Sequence, residues 1–335
     1  MKRPLMLPLV PLYAAGLALR DLRLTRGWEP IRRLRYPVIS IGNLSTGGSG
    51  KTPLSITLAR LLSARDFHVD VLSRGYGRNR REPDRVMPDG AADQYGDEPL
   101  LIAREAGVPV YVAPERYDAG LLAEVDAKQD NPRPQVHILD DGFQHRQLHR
   151  DIDVLLVNRE DWHDHLLPAG NLRETLTAIR RASALAIPSD DSAFEAELRD
   201  RGWTGPVWRL RRRMEIPQVT GPVVAFCGIA RPGQFFAGLE AAGVKIADRL
   251  AFRDHFSYRK ADLNDLFDTA TLPGRGVSAF ITTEKDLIRL GDLALAFPHD
   301  LPLLSARLTV DIEEESQVSE WLAGRLRANQ TLQSL

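Results

Sequence analysis

The hydrophobic positions of the chain fall into short blocks of two alternating kinds. Residues 37–41 (PVISI), 68–72 (HVDVL), 109–112, 135–139 and 152–157 are brief runs rich in β-branched residues, and they predict strands. Between them, residues 52–63 space Leu54, Ile56, Leu58, Leu61 and Leu62 along one helical face, and 99–106 and 115–127 predict two further helices. Strands alternating with helices imply parallel pairing, hence an α/β fold built on a doubly wound, mostly parallel sheet. The pattern breaks near 202–206 and again at Gly221-Pro222, then restarts. Residues 223–226 and 278–282 predict strands there, 233–242 a helix, and 312–327 an amphipathic helix with acidic residues in its first turn. The expected organisation is a front segment 1–36, a larger unit 37–205 and a smaller α/β unit 206–335. Residues 73–96, rich in Arg, Gly, Pro and Asp, read as one long loop, and loops of that length are usually functional or disordered.

The front segment follows a different pattern. Sixteen residues without a charge, PLMLPLVPLYAAGLAL, run between Arg3 and Arg20, and they contain Pro4, Pro8 and Pro11. Spanning a bilayer takes about 20 predominantly apolar residues. Eight basic residues among the first 36 face only Asp21 and Glu29. Three readings fit: an interfacial anchor with apolar residues in the bilayer and arginines on anionic headgroups, a buried structural helix, or a cleaved signal peptide. Trp28 and Tyr36 suit a membrane boundary.

Composition narrows the classes. The chain has 335 residues, 43% hydrophobic and 27% charged, which excludes wholesale disorder. The net charge of −1 excludes binding to nucleic acid by bulk attraction. The single cysteine, Cys227, excludes a disulfide framework or a multi-cysteine metal site, and fits a reducing compartment. His145 and His149, or His163 and His165, form no convincing set of four zinc ligands.

The chemistry concentrates in two places. Ser45-Thr46-Gly47-Gly48-Ser49-Gly50-Lys51-Thr52 follows a predicted strand and opens a predicted helix. Glycines there let backbone amides turn onto phosphate oxygens, and the helix N-terminus adds a favourable dipole. Lys51 would reach the β- and γ-phosphates and the Thr52 hydroxyl would bind Mg²⁺. Ser45 stands where a glycine usually begins this pattern. The second place is the strand ending in Asp140-Asp141, where a P-loop protein places a magnesium-binding carboxylate. The signature lysine of one class of regulatory ATPase is replaced by Thr46, and a guanine-reading Asn-Lys-x-Asp is matched only loosely by Thr283-Glu284-Lys285-Asp286. A kinase is therefore the leading class, with a membrane-associated ATPase switch or scaffold, or a kinase for a soluble small molecule, as alternatives.

Taken in order, Asn43 to Pro53, Ser73-Arg74-Gly75-Tyr76-Gly77, Gly96-Asp97-Glu98-Pro99, Asp140-Asp141-Gly142-Phe143-Gln144-His145, Leu167-Pro168-Ala169-Gly170-Asn171-Leu172-Arg173-Glu174, Asp254-His255 and Thr283-Glu284-Lys285-Asp286 resemble the tetraacyldisaccharide 4′-kinase family, the lipid A kinases of Gram-negative bacteria. The resemblance covers nearly the whole chain. It implies a P-loop NTPase-like fold and transfer of the ATP γ-phosphate to the 4′-hydroxyl of a tetraacylated glucosamine disaccharide 1-phosphate, giving lipid IVA. It also implies a peripheral enzyme on the cytoplasmic face of the inner membrane, and a monomer is expected. By resemblance Asp97 is the candidate base, supported by His255; on local chemistry alone Asp97 is equally a helix N-cap. Asp140 and Asp141 share the metal duties. Arg74, Arg116 and Arg173 are candidate phosphate clamps, because a guanidinium fork matches phosphate oxygens. Asn43, Glu98 and Glu174 are weaker candidates.

Overall fold

Six consecutive buried residues, Val38–Asn43, form β1 of the computed structural model, which describes residues 3–48, 50–127, 133–272, 274 and 276–333. A strand buried on both faces belongs in the middle of a parallel sheet, and β1 lies there. It is followed by β2 (His68–Ser73), β3 (Asp84–Arg85), β4 (Val110–Val112), β5 (Gln135–Asp140), β6 (Ile152–Leu156), β7 (Ala184–Pro188), β8 (Val207–Glu215), β9 (Val223–Cys227), β10 (Ile246–Ala251), β11 (Ala279–Thr283) and β12 (Leu303–Ile312). The twelve strands make one sheet in the order β10-β9-β11-β12-β8-β7-β6-β1-β5-β2-β4-β3. Pairing is parallel throughout except for β8 with β12 and β3 with β4. The long β8–β12 pair is where strand direction reverses and the second half of the sheet begins.

β1 runs between β5 and β6, with Ile39 opposite both Ile138 and Ile152. Its chain then crosses over β5 to reach β2, so the carboxyl end of β1 opens at a switch in strand order, where α/β sheets bind ligands. The helix Lys51–Ser63 packs Leu54, Leu58 and Leu62, all fully buried, onto this region. The same apolar cluster takes in Ile312, Val318 and Leu322 from the far end of the chain. Thr57 Oγ1 also donates to the Val310 carbonyl oxygen at 2.6 Å, tying this helix to β12.

Three expectations change. Residues 73–96 are not one loop: they contain β3 and a short helix, Ala92–Tyr95. The helix expected from 312 starts at Glu315, because Ile312 ends β12. The buried-helix reading of the front segment also fails. A 3₁₀ turn (Pro4–Leu9) and a helix (Val10–Thr25) form one 22-residue apolar element with none of its most apolar stretch buried. Leu5 is 92% exposed and Leu12 74%.

Where the front segment enters the sheet, a buried ion cluster fixes it. His137 of β5 is fully buried, with Nδ1 2.7 Å from Asp70 Oδ1 of β2 and Nε2 3.5 Å from Glu124 Oε1 of the helix Arg116–Asp126. Glu124 in turn accepts from the backbone N–H of Arg35 at 2.6 Å and of Tyr36 at 3.2 Å. Burial disfavours the imidazolium, but Asp70 and Glu124 more than compensate and raise the His137 pKa to about 9. A group raised above its unfolded value stabilises the fold fully below that value and loses the effect as pH climbs through the folded one. The melting temperature is therefore expected to fall as pH rises from about 6.5 towards 9, and His137→Gln should flatten that slope and cost about 3 kcal/mol by stranding two carboxylates. Calorimetry across that range checks this; equal slopes in both proteins would contradict it.

Candidate active site

β1 ends at Asn43, and a glycine-rich loop carries the chain into the helix Lys51–Ser63. Gly47 and Gly50 take φ of 108° and 93°, a region that a side chain makes costly. A second loop braces this one: the Thr46 N–H donates to the Asn171 carbonyl oxygen at 2.8 Å and the Arg173 N–H to that of Leu44 at 2.6 Å. Ser45 is buried and bridges Leu172. Thr52 is buried in the first helical turn, and Ser49 lies outside the described residues. Lys51 Nζ donates to Asn43 Oδ1 at 2.9 Å and lies 3.5 Å from Asp141 Oδ1.

Asp140 closes β5 beside this loop, and Asp141 follows with φ 48°. The approach depends on Gly42, where a Cβ would lie 2.5 Å from the Cβ of Phe143. Asp140 accepts from Ser55 Oγ at 2.7 Å. Burial first, then the charges of Glu98 and Asp141, outweigh Ser55 and Lys51 and push its pKa up to about 7. Burial also acts to raise Asp141, but Lys51 and Arg173 overcome it and hold that carboxyl well below the usual range. Arg173 grips Asp141 with its two terminal nitrogens, Nη1 at 3.1 Å and Nη2 at 2.9 Å, and Nη2 also donates to Asn43 Oδ1. Thr52, Asp140 and Asp141 are hard oxygen donors of the kind a small divalent cation takes, and Asp140 is raised by burial first and then by the charges of Glu98 and Asp141. No cluster of three His, Cys, Asp or Glu donors forms among the described residues. Magnesium here would therefore draw its other ligands from water and phosphate.

Asp97 opens the helix Asp97–Glu105 and is only 4% exposed. Gly96 lets it lie against the loop at Tyr76, since a Cβ there would meet the Tyr76 carbonyl oxygen at 2.9 Å. Its side-chain partners come from the second half of the sheet. Arg289 Nε donates to Asp97 Oδ2 at 2.7 Å, with Arg289 Nη2 on the same oxygen, and His255 Nδ1 lies 3.5 Å away. Burial would raise the Asp97 pKa, but the His255 contact, Arg289 and Lys285 together hold it far below the ordinary value. The bond to Asp97 raises the His255 pKa against burial. His255 has φ 55° and its ring sits 4.8 Å from that of Tyr76. Next door, Lys285 Nζ pairs with Glu98 Oε1 at 2.6 Å. Asp286, fully buried, accepts from the Gly228 N–H and the Tyr258 hydroxyl, which fixes the helix Glu284–Leu290 that carries Lys285 and Arg289.

The residues expected from sequence thus gather unevenly. Asn43, Lys51, Asp141 and Arg173 share one network, and Asp97 and His255 make another. Arg116 is buried near Arg74 and the two aspartates; burial first, then Arg74, lowers its pKa to about 10. Glu174 stands apart, paired with Arg181 at 2.6 Å and with Arg20 of the front helix at 3.2 Å. Sequence reasoning missed Arg289 and Ser55. A basic residue three positions after Asp286, on the same helix, was the available signal for Arg289.

Because Asp97 and Arg289 neutralise each other in a dry setting, removing both should cost less than the two single losses added together, even though Arg289 also serves the buried Asp286. Asp97→Asn or Arg289→Met alone is expected to lose about 3 kcal/mol in denaturant unfolding, and the double variant distinctly less than the sum. Additive losses would show that the pair is not coupled.

A family model described as tetraacyldisaccharide-1-P 4′-kinase matches residues 2–327. Among curated relatives, the tetraacyldisaccharide 4′-kinase of Koribacter versatilis is 39% identical over 318 residues, covering 92% of this chain and 94% of the relative. That of Aquifex aeolicus is 38% identical over 309 residues, covering 87% and 90%. The crystal structure of an "apo" form of LpxK from Aquifex aeolicus in complex with ATP superposes with a TM-score of 0.73 at 34% identity, over 96% of this chain and 98% of that one. A fold of this topology, matched along nearly its whole length, places the chain in the tetraacyldisaccharide 4′-kinase family.

Proposed function

We propose that this chain moves the γ-phosphoryl group of ATP to the 4′-hydroxyl of an acylated glucosamine disaccharide 1-phosphate, giving lipid IVA, at the cytoplasmic face of the bacterial inner membrane. The observation that carries this reading is the meeting of Asp97 and His255, from the two halves of the chain, beside Glu98 and Lys285, which lie close enough to Asp140 at the end of β5 for their charges to be felt there.

In this reading the amides of residues 45–52 and Lys51 hold the phosphate chain. Thr52, Asp140 and Asp141 hold magnesium, which when bound neutralises charge on the β- and γ-phosphates. Arg173 and Asn43 keep Asp141 and Lys51 in register, and Arg74 and Arg116 offer guanidinium forks to phosphate oxygens. Glu98 holds Lys285 beside Asp97. The acceptor hydroxyl gives its proton to the Asp97–His255 pair. Asp97 is depressed and His255 raised, so the proton comes to rest on the imidazole while the carboxylate orients and balances it. Residues 37–205 act as the unit that grips nucleotide and 206–335 as the unit that completes the site. The front helix lies in the membrane interface. Its exposed leucines face lipid, while Tyr13 donates to the Arg173 carbonyl oxygen at 3.0 Å and Arg20 holds Glu174, so the anchor is joined directly to the loop that clamps Asp141.

Purified protein in detergent is expected to transfer labelled phosphate from ATP to the disaccharide only when Mg²⁺ is present, and failure to label that acceptor would refute the assignment. Turnover should rise with pH through the raised His255 pKa. Asp97→Asn should lower kcat by roughly 10²–10⁴-fold, leave ATP affinity nearly unchanged and move that rise to lower pH. An unaltered pH–rate profile in the variant would place proton transfer elsewhere. Deleting residues 1–20 should abolish partitioning onto anionic vesicles while ATP binding persists; full retention on vesicles would remove the front helix from the membrane role.

A further inference from the structure

Arg289 has no part in the roles above, yet it stands against both members of the Asp97–His255 pair. Its Nε donates to Asp97 Oδ2 at 2.7 Å, Nη2 donates to the same oxygen, and Nη2 also lies 3.4 Å from His255 Nδ1. His255 Nδ1 is in turn 3.5 Å from that oxygen. The other oxygen, Asp97 Oδ1, accepts from the Glu98 N–H at 3.0 Å. One carboxylate oxygen is therefore shared by a permanent guanidinium charge and by an imidazole that gains and loses its charge.

Arg289 is fixed in that place. Its side chain is buried, and Nη1 donates to Asp286 Oδ1 at 3.0 Å and to the Gly228 carbonyl oxygen. The same carbonyl oxygen accepts from the His255 N–H at 3.1 Å, so the guanidinium and the backbone of His255 hang on one atom. Burial acts against the Arg289 charge, but Asp97 and Asp286 outweigh it and raise its pKa. The other groups around the imidazole are Asp254, with Oδ2 4.0 Å from Nε2, and the uncharged ring of Tyr76. The bond to Asp97 raises the His255 pKa most, burial opposes it, Asp254 adds to it, and Arg289 pulls it back. Lys285 acts on the pair only through Asp97. A fixed cation beside an imidazole disfavours its protonated form.

We propose that Arg289 is a positioning residue for proton transfer: it holds Asp97 Oδ2 in place and competes with the imidazolium for that oxygen, so that His255 stays free to accept a proton near neutral pH. The proposal rests on the reading that this pair takes the proton of the acceptor hydroxyl. As the acceptor oxygen bonds the γ-phosphorus and ADP departs, that proton passes to the imidazole, which must arrive unprotonated. Without Arg289, the uncompensated carboxylate of Asp97 would keep His255 protonated to higher pH. The effect runs opposite to that of Asp97→Asn, which removes the anion that favours the imidazolium.

The test makes two measurements on the full-length protein in detergent. One is the pH–rate profile with ATP, Mg²⁺ and the disaccharide. The other is the titration of the His255 imidazole by NMR, its signal identified by its loss in His255→Gln. Arg289→Gln should move both the titration midpoint and the rise of kcat to higher pH by about one unit. Turnover should then be about tenfold lower below the rise and recover above it. Arg289→Lys keeps the charge, so it should hold both near their wild-type positions, and it serves where the Gln variant does not fold. A purely structural role would scale the profile without moving it. A midpoint that stays in place or falls in Arg289→Gln, or that rises as far in Arg289→Lys, would overturn the proposal alone. A midpoint that rises while the pH–rate profile stays in place would remove His255 from proton transfer, and would overturn that reading and this proposal together.

Discussion

Four carboxylates of two neighbouring chain segments, Asp97 with Glu98 and Asp140 with Asp141, lie near enough for Glu98 and Asp141 to act on Asp140, and their partners keep that charge tolerable. Bringing carboxylates out of water is costly unless cations meet them at close range. Here the cations come from far along the chain: Arg173 for Asp141, Lys285 for Glu98, Arg289 for Asp97. Asp140 is the exception. A hydroxyl from Ser55 partners it, and it is pushed up to about 7 by burial and by its neighbours' charges. In the function proposed above, a divalent cation at this position would relieve that imbalance.

The same matching draws the two halves of the sheet together. The strand reversal at β8–β12 leaves the second set of strands free to fold back, and the ion pairs across the seam, Asp97 with Arg289 and Glu98 with Lys285, hold the helix Asp97–Glu105 against the helix Glu284–Leu290. His255 is presented from the second half by the same contact. The front helix joins the network through Tyr13 and Arg20, so the element read as touching lipid and the residues read as touching phosphate are neighbours rather than distant modules. In the function proposed above, an acceptor held in a bilayer and a nucleotide drawn from the cytosol would call for such a geometry.

Much of the first half was legible because its signals are local. A β-branched run, a glycine-rich turn and a leucine-spaced helix identify β1, the loop and the helix Lys51–Ser63 within a residue or two. The grouping of motifs was legible as a resemblance, and the contacts explain it: Gly96 is needed where Asp97 lies against Tyr76, and Gly42 where Phe143 crosses β1. β8 was missed because Arg209, Arg211, Arg212 and Arg213 give it a polar surface that hides the alternation of Trp208 and Leu210. β12 was missed because Ile312 also fits the start of the following helix. The Asp97–Arg289 pair spans 192 positions, and no periodicity in the chain predicts a contact at that separation.

Where the triphosphate lies decides the function of every residue in this site. A crystal structure of the full chain with a non-hydrolysable ATP analogue and magnesium tests it most directly. The phosphate chain is expected on the loop ending at Lys51 and Thr52, with the metal beside Asp140 and Asp141 and the terminal phosphate facing Asp97 and His255. Nucleotide density in another cleft, with this loop empty, would contradict it.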